Sequence, residues 1–106
     1  MKNRISEVQI VPVKPNNGLV GFASLVFNDC LYLGSIGIYI RPEGGYRLTY
    51  PTRKNATSNF HVFHPITKDI ANEIESEVIL KFENVMKNSV FLKNLFLYKN
   101  LEYLAV

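Results

Sequence analysis

The sequence predicts an α+β domain in which a small antiparallel β-sheet of four to five strands is followed by a long C-terminal α-helix. Apolar runs separated by turn residues fill residues 1–66, a pattern that is typical of strands joined by hairpins. Apolar side chains then recur at helical spacing over residues 67–87. A chain of 106 residues has room for one domain, and its hydrophobic content of 47% is enough for a packed core.

Turn residues divide the strand region. Residues 4–13 alternate in part and are followed by a turn sequence, after which come two longer apolar runs, 19–27 and 30–40. The two runs flank Asn28-Asp29, and both of these residues tolerate a positive φ angle. We therefore predict a tight β-hairpin centred on Asn28-Asp29.

A second set of turn residues follows the hairpin. Pro42-Glu43-Gly44-Gly45 predicts a turn, and residues 46–50 predict another strand. Residues 52–59 are polar, so we expect a mobile connection, and residues 60–63 could form a short strand before the helix.

Both faces of the central hairpin are apolar. If side chains alternate strictly, each run has apolar residues on both faces of the sheet. In the first run, one face would carry Leu19, Ala23, Leu25 and Phe27, and the other face Val20, Phe22 and Val26. In the second run, one face would carry Leu31, Leu33 and Tyr39, and the other face Ile36, Ile38 and Ile40. One helix can cover only one face of such a sheet. A second copy of the chain is the economical cover for the other face, so we predict a homodimer.

The helix and the tail complete the chain. The helical stripe consists of Ile70, Ala71, Ile74, Val78, Phe82, Val85 and Met86. Thr67 is the predicted N-cap and Asn88 the predicted end, so residues 1–88 are expected to form the domain. Residues 89–106 are too apolar for a solvated tail. We expect this extension, as a second helix or an added strand, to pack on the domain or on a partner subunit.

Charge is distributed unevenly. Residues 1–66 hold seven basic and three acidic side chains, a net charge of +4, whereas residues 67–87 hold three basic and five acidic ones, a net charge of −2. Phosphates would be repelled by the acidic face of the helix. Arg53 and Lys54 are adjacent just after Pro51, with Arg47 upstream and Tyr50 near enough to stack. A surface charge pair can serve solubility alone, but if DNA binds, these three cations are the candidate binding residues.

The sequence has few residues of the types that bind metals or act in catalysis. His61 and His64 are three apart, a spacing that puts them on opposite faces of a strand, and no further Cys or His cluster accompanies them, so we expect no metal site. Cys30 is the only cysteine, which fits a reducing compartment and therefore the cytoplasm. Since no acid, base or metal constellation converges, we expect neither an enzyme nor a cofactor or small-molecule substrate. No apolar run is long enough to span a membrane.

Several ordered features resemble the SpoVG family of small bacterial proteins. They are an opening strand (Ile5–Val13), the Asn28-Asp29 hairpin, Ile36-Gly37-Ile38 before a glycine turn, Tyr50-Pro51-Thr52-Arg53-Lys54, and His64-Pro65-Ile66 before the helix. The match covers roughly residues 4–87, and the apolar tail departs from the family pattern. The resemblance implies an antiparallel sheet with a C-terminal helix, a homodimer, and DNA binding with effects on gene expression. The family's basic pair after the proline corresponds to Arg53 and Lys54.

Two hypotheses about function follow from these observations. The first is a cytoplasmic DNA-binding regulator of transcription that affects cell division through septation and sporulation, with DNA as its partner and RNA left open. It would bind through the basic strand-loop edge by neutralising phosphates. The alternative is a non-catalytic protein-interaction module without affinity for nucleic acid, in which the apolar surfaces bind a partner.

Overall fold

The architecture confirms the predicted α+β class. A computed structural model describes residues 4–88, and the prediction that residues 89–106 pack on the domain or a partner lies outside this range. The elements are β1 (Ile5–Asn16), β2 (Leu19–Phe27), β3 (Leu31–Ile40), β4 (Tyr46–Thr49), β5 (Thr52–Lys54), β6 (Asn59–His61) and α1 (Lys68–Lys87). Strands β1 to β4 form an antiparallel sheet in chain order, while β5 and β6 form a separate two-stranded sheet.

The turn between β2 and β3 has the predicted chemistry. Asn28 and Asp29 have φ angles of 52° and 58°, a conformation that asparagine and aspartate adopt more readily than most residues. The Cys30 backbone N–H donates to the Phe27 carbonyl at 3.0 Å and closes the turn. The predicted hairpin is therefore confirmed.

Helix α1 covers one face of the four-stranded sheet. The Thr67 hydroxyl caps the helix by accepting from the Ile70 N–H at 3.3 Å, and the Asn88 N–H donates to the Asn84 carbonyl at the other end. Phe82 is fully buried and meets the Tyr46 ring edge-on at a centroid distance of 5.6 Å. The buried hydrophobic side chains are Ile5, Val20, Ala23, Leu25, Ile36, Ile38, Ile74, Val78, Phe82 and Met86.

Two irregularities in the sheet overturn part of the predicted alternation. Leu33 was expected to face away from Ile36, but both pack on the helix side. The reason is a bulge in β3, where Ser35 has a φ of 61° and the register shifts between Ala23 and Leu25. The extra residue in β3 shifts the alternation by one, so the side chains of Leu33 and Ile36 point to the same face.

A similar shift occurs at the start of β2. Val20 was expected on the face opposite Leu25, yet both side chains are buried. The register skips between Leu19 and Gly21, so the pattern of alternation restarts there.

The face of the sheet opposite α1 is uncovered within residues 4–88. Val11, Phe22 and Tyr32 are large side chains that remain exposed on it. This surface, which we call the uncovered sheet face, is where a second subunit was predicted to pack. No helix in the described part of the chain is both long and apolar enough to cross a membrane.

Candidate nucleic-acid interface

Residues 52–61 form a two-stranded hairpin, whereas the polar composition of residues 52–59 had suggested a mobile connection without strands. Strands β5 and β6 are antiparallel, and the Asn55 side chain organises the four-residue turn between them. Its Oδ1 accepts from the Ser58 N–H at 2.8 Å and from the Thr57 N–H at 3.0 Å. The sequence analysis did not anticipate this turn, in which an asparagine side chain accepts the hydrogen bonds of backbone N–H groups.

The hairpin separates the two adjacent cations. Arg53 is paired with Phe60 across the strands, whereas Lys54 is paired with Asn59. Since neighbouring residues of a strand point to opposite faces, Arg53 and Lys54 lie on opposite faces of the hairpin. Both side chains are exposed.

Phe60 is a candidate binding residue that sequence reasoning missed. It shares the Arg53 face and is 47% exposed, an unusual position for a phenylalanine outside a core. The available signal was the spacing, because a four-residue turn at 55–58 places residue 60 opposite residue 53. The hairpin therefore offers a cation and an aromatic ring side by side on one face.

The base of the hairpin is attached to the body of the protein. The Val62 N–H donates to the Pro51 carbonyl at 2.8 Å, and the rings of Tyr50 and Phe63 meet edge-on at 5.9 Å. Burial, with a smaller contribution from the Glu75 carboxylate, raises the pKa of Tyr50 to about 12. Tyr50 thus anchors the hairpin and is not the exposed stacking residue that the sequence suggested.

Arg47 lies on a different surface. It is opposite Tyr39 in the pairing of β3 with β4, and its guanidinium carbon is 4.9 Å from the centre of the Tyr39 ring. This distance is within the range of a cation–π interaction. The alternation that buries Ile38 places Tyr39 and Arg47 on the uncovered sheet face. The three predicted cations are therefore divided between that face and the hairpin.

Gly37 makes room for this arrangement. A Cβ atom at Gly37 would lie 2.5 Å from the Thr49 hydroxyl oxygen and 3.3 Å from the Tyr39 ring. The first distance is below ordinary contact, so a side chain at Gly37 would displace Thr49 or Tyr39. The absence of a side chain at Gly37 thus leaves room for the Tyr39 ring, against which the Arg47 guanidinium lies.

Charge around the hairpin is one-sided. The sequence contains no acidic residue between Glu43 and Asp69, a stretch that includes Arg47, Arg53 and Lys54. Among the acidic side chains of α1, Glu73 accepts from the Arg4 guanidinium at 3.0 Å, and Glu75 acts on Tyr50 at the base of the hairpin. An approaching phosphate would meet the exposed cations Arg53 and Lys54 on the hairpin.

The two histidines lie closer together than predicted. Their ring centres are 4.7 Å apart, although a strand would have separated them. The prediction was wrong because β6 ends at His61 and the chain bends before His64. His64 Nδ1 is 3.0 Å from the Pro65 carbonyl oxygen. Across residues 4–88, no group of three or more His, Cys, Asp or Glu side chains is arranged to hold a metal ion.

An apolar cleft lies beside the base of the hairpin. It has a volume of about 260 Å³ and opens between the end of the β2–β3 hairpin and the start of α1. Its walls include Leu31, Leu33, Tyr50, Phe63, Ile66 and Ile70. Sequence reasoning did not find this cleft, because its walls come from four separate segments of the chain.

Comparison with known proteins identifies the family of the chain. The SpoVG family model matches residues 3–84, which include the four-stranded sheet, the hairpin and most of α1. The chain belongs to the SpoVG family. The resemblance seen in the ordered motifs is thereby confirmed.

Named relatives are described as SpoVG septation proteins. The one from Phytoplasma australiense is 30% identical over 88 residues, covering 82% of this chain and 91% of the relative. The one from Treponema denticola is 30% identical over 80 residues, 74% of this chain and 85% of the relative. The one from Caldicellulosiruptor saccharolyticus is 25% identical over 84 residues, covering 78% and 94%. The apolar segment 89–106 lies beyond the part that matches the SpoVG family model.

Proposed function

We propose that this protein is a cytoplasmic DNA-binding regulator of the SpoVG type, which affects gene expression and septation without a catalytic step or a cofactor. The observation that carries the proposal is the hairpin of residues 52–61, which presents two exposed cations in a stretch without acidic residues. The names of the relatives, which refer to septation, support the cellular role.

The mechanism is neutralisation of phosphates by the hairpin. A two-stranded β-ribbon is narrow enough to enter the major groove of DNA, which is about 12 Å wide. With Arg53 on one face and Lys54 on the other, such a ribbon would meet phosphates on two sides. Phe60, beside Arg53, would add a contact with a base or a sugar. Arg47 makes no phosphate contact in this mechanism, because it lies on the uncovered sheet face, where a second subunit is proposed to pack.

A homodimer is part of the proposal. The uncovered sheet face exposes Val11, Phe22 and Tyr32, and burying such side chains contributes about 25 cal/mol for each Å² removed from water. Two copies packed through this face would bring two hairpins to one DNA molecule and roughly double the number of phosphate contacts.

The test is binding of a fluorescent random-sequence DNA duplex, followed by fluorescence anisotropy at 50 mM and 200 mM salt. We expect binding at the lower concentration and a marked loss at the higher one, since released counterions dominate such affinity. RNA of matched length in a parallel titration would show whether the partner is DNA alone. Absence of binding to both at 50 mM salt would refute the proposal.

A second candidate is a protein-interaction module without affinity for nucleic acid. The exposed apolar side chains on the uncovered sheet face favour it. This candidate predicts no salt-dependent binding of DNA, so the same titration separates the two functions.

A further inference from the structure

The size and apolar lining of the cleft suit an apolar polypeptide segment better than a small molecule. Its volume of about 260 Å³ is below the ~300–1,000 Å³ that is usual for small-molecule sites, and its walls offer few polar groups that could orient a ligand. Its rim is formed by Leu31 and Ile66, which are 54% and 87% exposed. Because Leu31 and Ile66 extend the apolar lining of the cleft onto the surface, the cleft and its rim form a continuous apolar patch of the kind that marks an interaction site.

The chain itself supplies a matching segment. Residues 89–106 carry only three charged side chains and many large apolar ones, namely Val90, Phe91, Leu92, Leu95, Phe96, Leu97, Tyr98, Leu101, Tyr103, Leu104 and Val106. These residues lie beyond the match to the SpoVG family model, so the pairing of cleft and segment is not a feature that the family model describes.

The segment is long enough to reach the cleft. From Asn88 back to Ile70, the axis of α1 extends about 27 Å, at about 1.5 Å per residue. Eighteen residues span up to about 60 Å when extended, so the segment could return along α1 with residues to spare. Being attached to the same chain, it would also act at an effective concentration in the millimolar range.

We propose that residues 89–106 bind in the apolar cleft of their own chain and cover Leu31 and Ile66. This inference does not depend on DNA binding. It gives the cleft a definite occupant, and it places the C-terminal segment against the base of the hairpin, because Tyr50 and Phe63 form one wall of the cleft.

Cys30 provides a direct test. It is an exposed free cysteine, and it precedes the cleft residue Leu31. In the full-length protein, Leu97→Cys, Leu101→Cys and Leu104→Cys each add one thiol to the segment. Under mild oxidation, we expect at least one variant to form an intrachain disulfide with Cys30, since such a bond requires Cβ atoms within about 4.5 Å. Non-reducing gels and peptide mass spectrometry identify the product.

Two further variants test whether the cleft is responsible. Adding Ile66→Glu to the reactive variant places a charge on the rim and should slow the cross-link at least tenfold. Leu80→Glu, at an exposed apolar position on α1 outside the cleft lining, is the matched control and should leave the rate unchanged. Lys81→Cys, an exposed position on α1 outside the cleft lining, should give no intrachain bond with Cys30.

The possible outcomes are distinct. An intrachain bond that depends on Ile66 supports the proposal. Cross-linking only between chains would overturn it, because the occupant would then be a second copy. Failure of all three segment variants to cross-link, while Cys30 still reacts with a thiol reagent, would also overturn it.

Discussion

The opposite placement of Arg53 and Lys54 makes a quantitative prediction about DNA affinity. Because the two side chains lie on different faces of the hairpin, they cannot readily share one phosphate. Each should therefore make its own contact. We expect Arg53→Ala and Lys54→Ala to have separate, additive effects on the salt dependence of binding.

The magnitude follows from counterion release. Each lost phosphate contact lowers the slope of log affinity against log salt by about 0.9 for duplex DNA. Each single variant should thus lower it by about 0.9 per chain, and the double variant by about 1.8. Between 50 and 200 mM salt, a slope change of 1.8 corresponds to a difference of about 12-fold in affinity. In a homodimer, four lost contacts would correspond to about 150-fold over the same range.

The assay is fluorescence anisotropy with one DNA duplex at five or more salt concentrations, for the wild-type protein, both single variants and the double variant. Both side chains are exposed, so the fold should be unaffected, and circular dichroism would check this. The matched control removes two cations from α1, as Lys81→Ala with Lys87→Ala, and should change the slope less.

Two results would refute the reasoning. If the double variant changed the slope no more than either single variant, the two cations would share a contact and the two-faced geometry would not govern binding. If the α1 control abolished binding while the hairpin variants kept it, the site would lie on the helix.

The remaining predictions concern the core, the sheet and the assembly. Phe82→Ala should lower the free energy of unfolding by about 3–5 kcal/mol in urea denaturation, because it empties the centre of the core. Gly37→Ala should cost about 1–3 kcal/mol through contact with Thr49, and adding Thr49→Ala should restore most of the loss. Folding raises the pKa of Tyr50 from 10.0 to about 12, mainly through burial, so neutral Tyr50 stabilises the fold below pH 10 and this contribution is lost between about pH 10 and 12. Tyr50→Phe should therefore reduce the alkaline loss of stability, measured as the urea midpoint at pH 9 and pH 11. Light scattering at low micromolar concentration should report about twice the chain mass of 12.1 kDa, and Phe22→Glu on the uncovered sheet face should return the mass to that of a single chain.

Local sequence signals predicted the order of the elements well. Asn28-Asp29 marked a hairpin because few residue pairs tolerate two positive φ angles, and Thr67 marked the start of α1 because its hydroxyl can accept a backbone N–H. Strict alternation failed at Ser35, where a bulge adds a residue to β3. A bulge depends on pairing with the neighbouring strand, so the sequence of one strand does not reveal it.

The sequence identified which residues carry the candidate site but not the faces on which their side chains lie. Adjacent cations after Pro51 indicated where a basic edge would lie, but a sequence that was read as a loop gave no basis for assigning faces. Because residues 52–54 form a strand, side chains alternate between its two faces, so Arg53 and Lys54 point to opposite faces. The pairing of β5 with β6 then places Phe60 beside Arg53 on the same face. The same alternation explains why Arg47, which looked equivalent in the sequence, instead rests on Tyr39 across the sheet. Binding by this protein should therefore depend on the hairpin as a two-sided ribbon, and a variant that disrupts the Asn55 turn should weaken the contributions of Arg53 and Lys54 together.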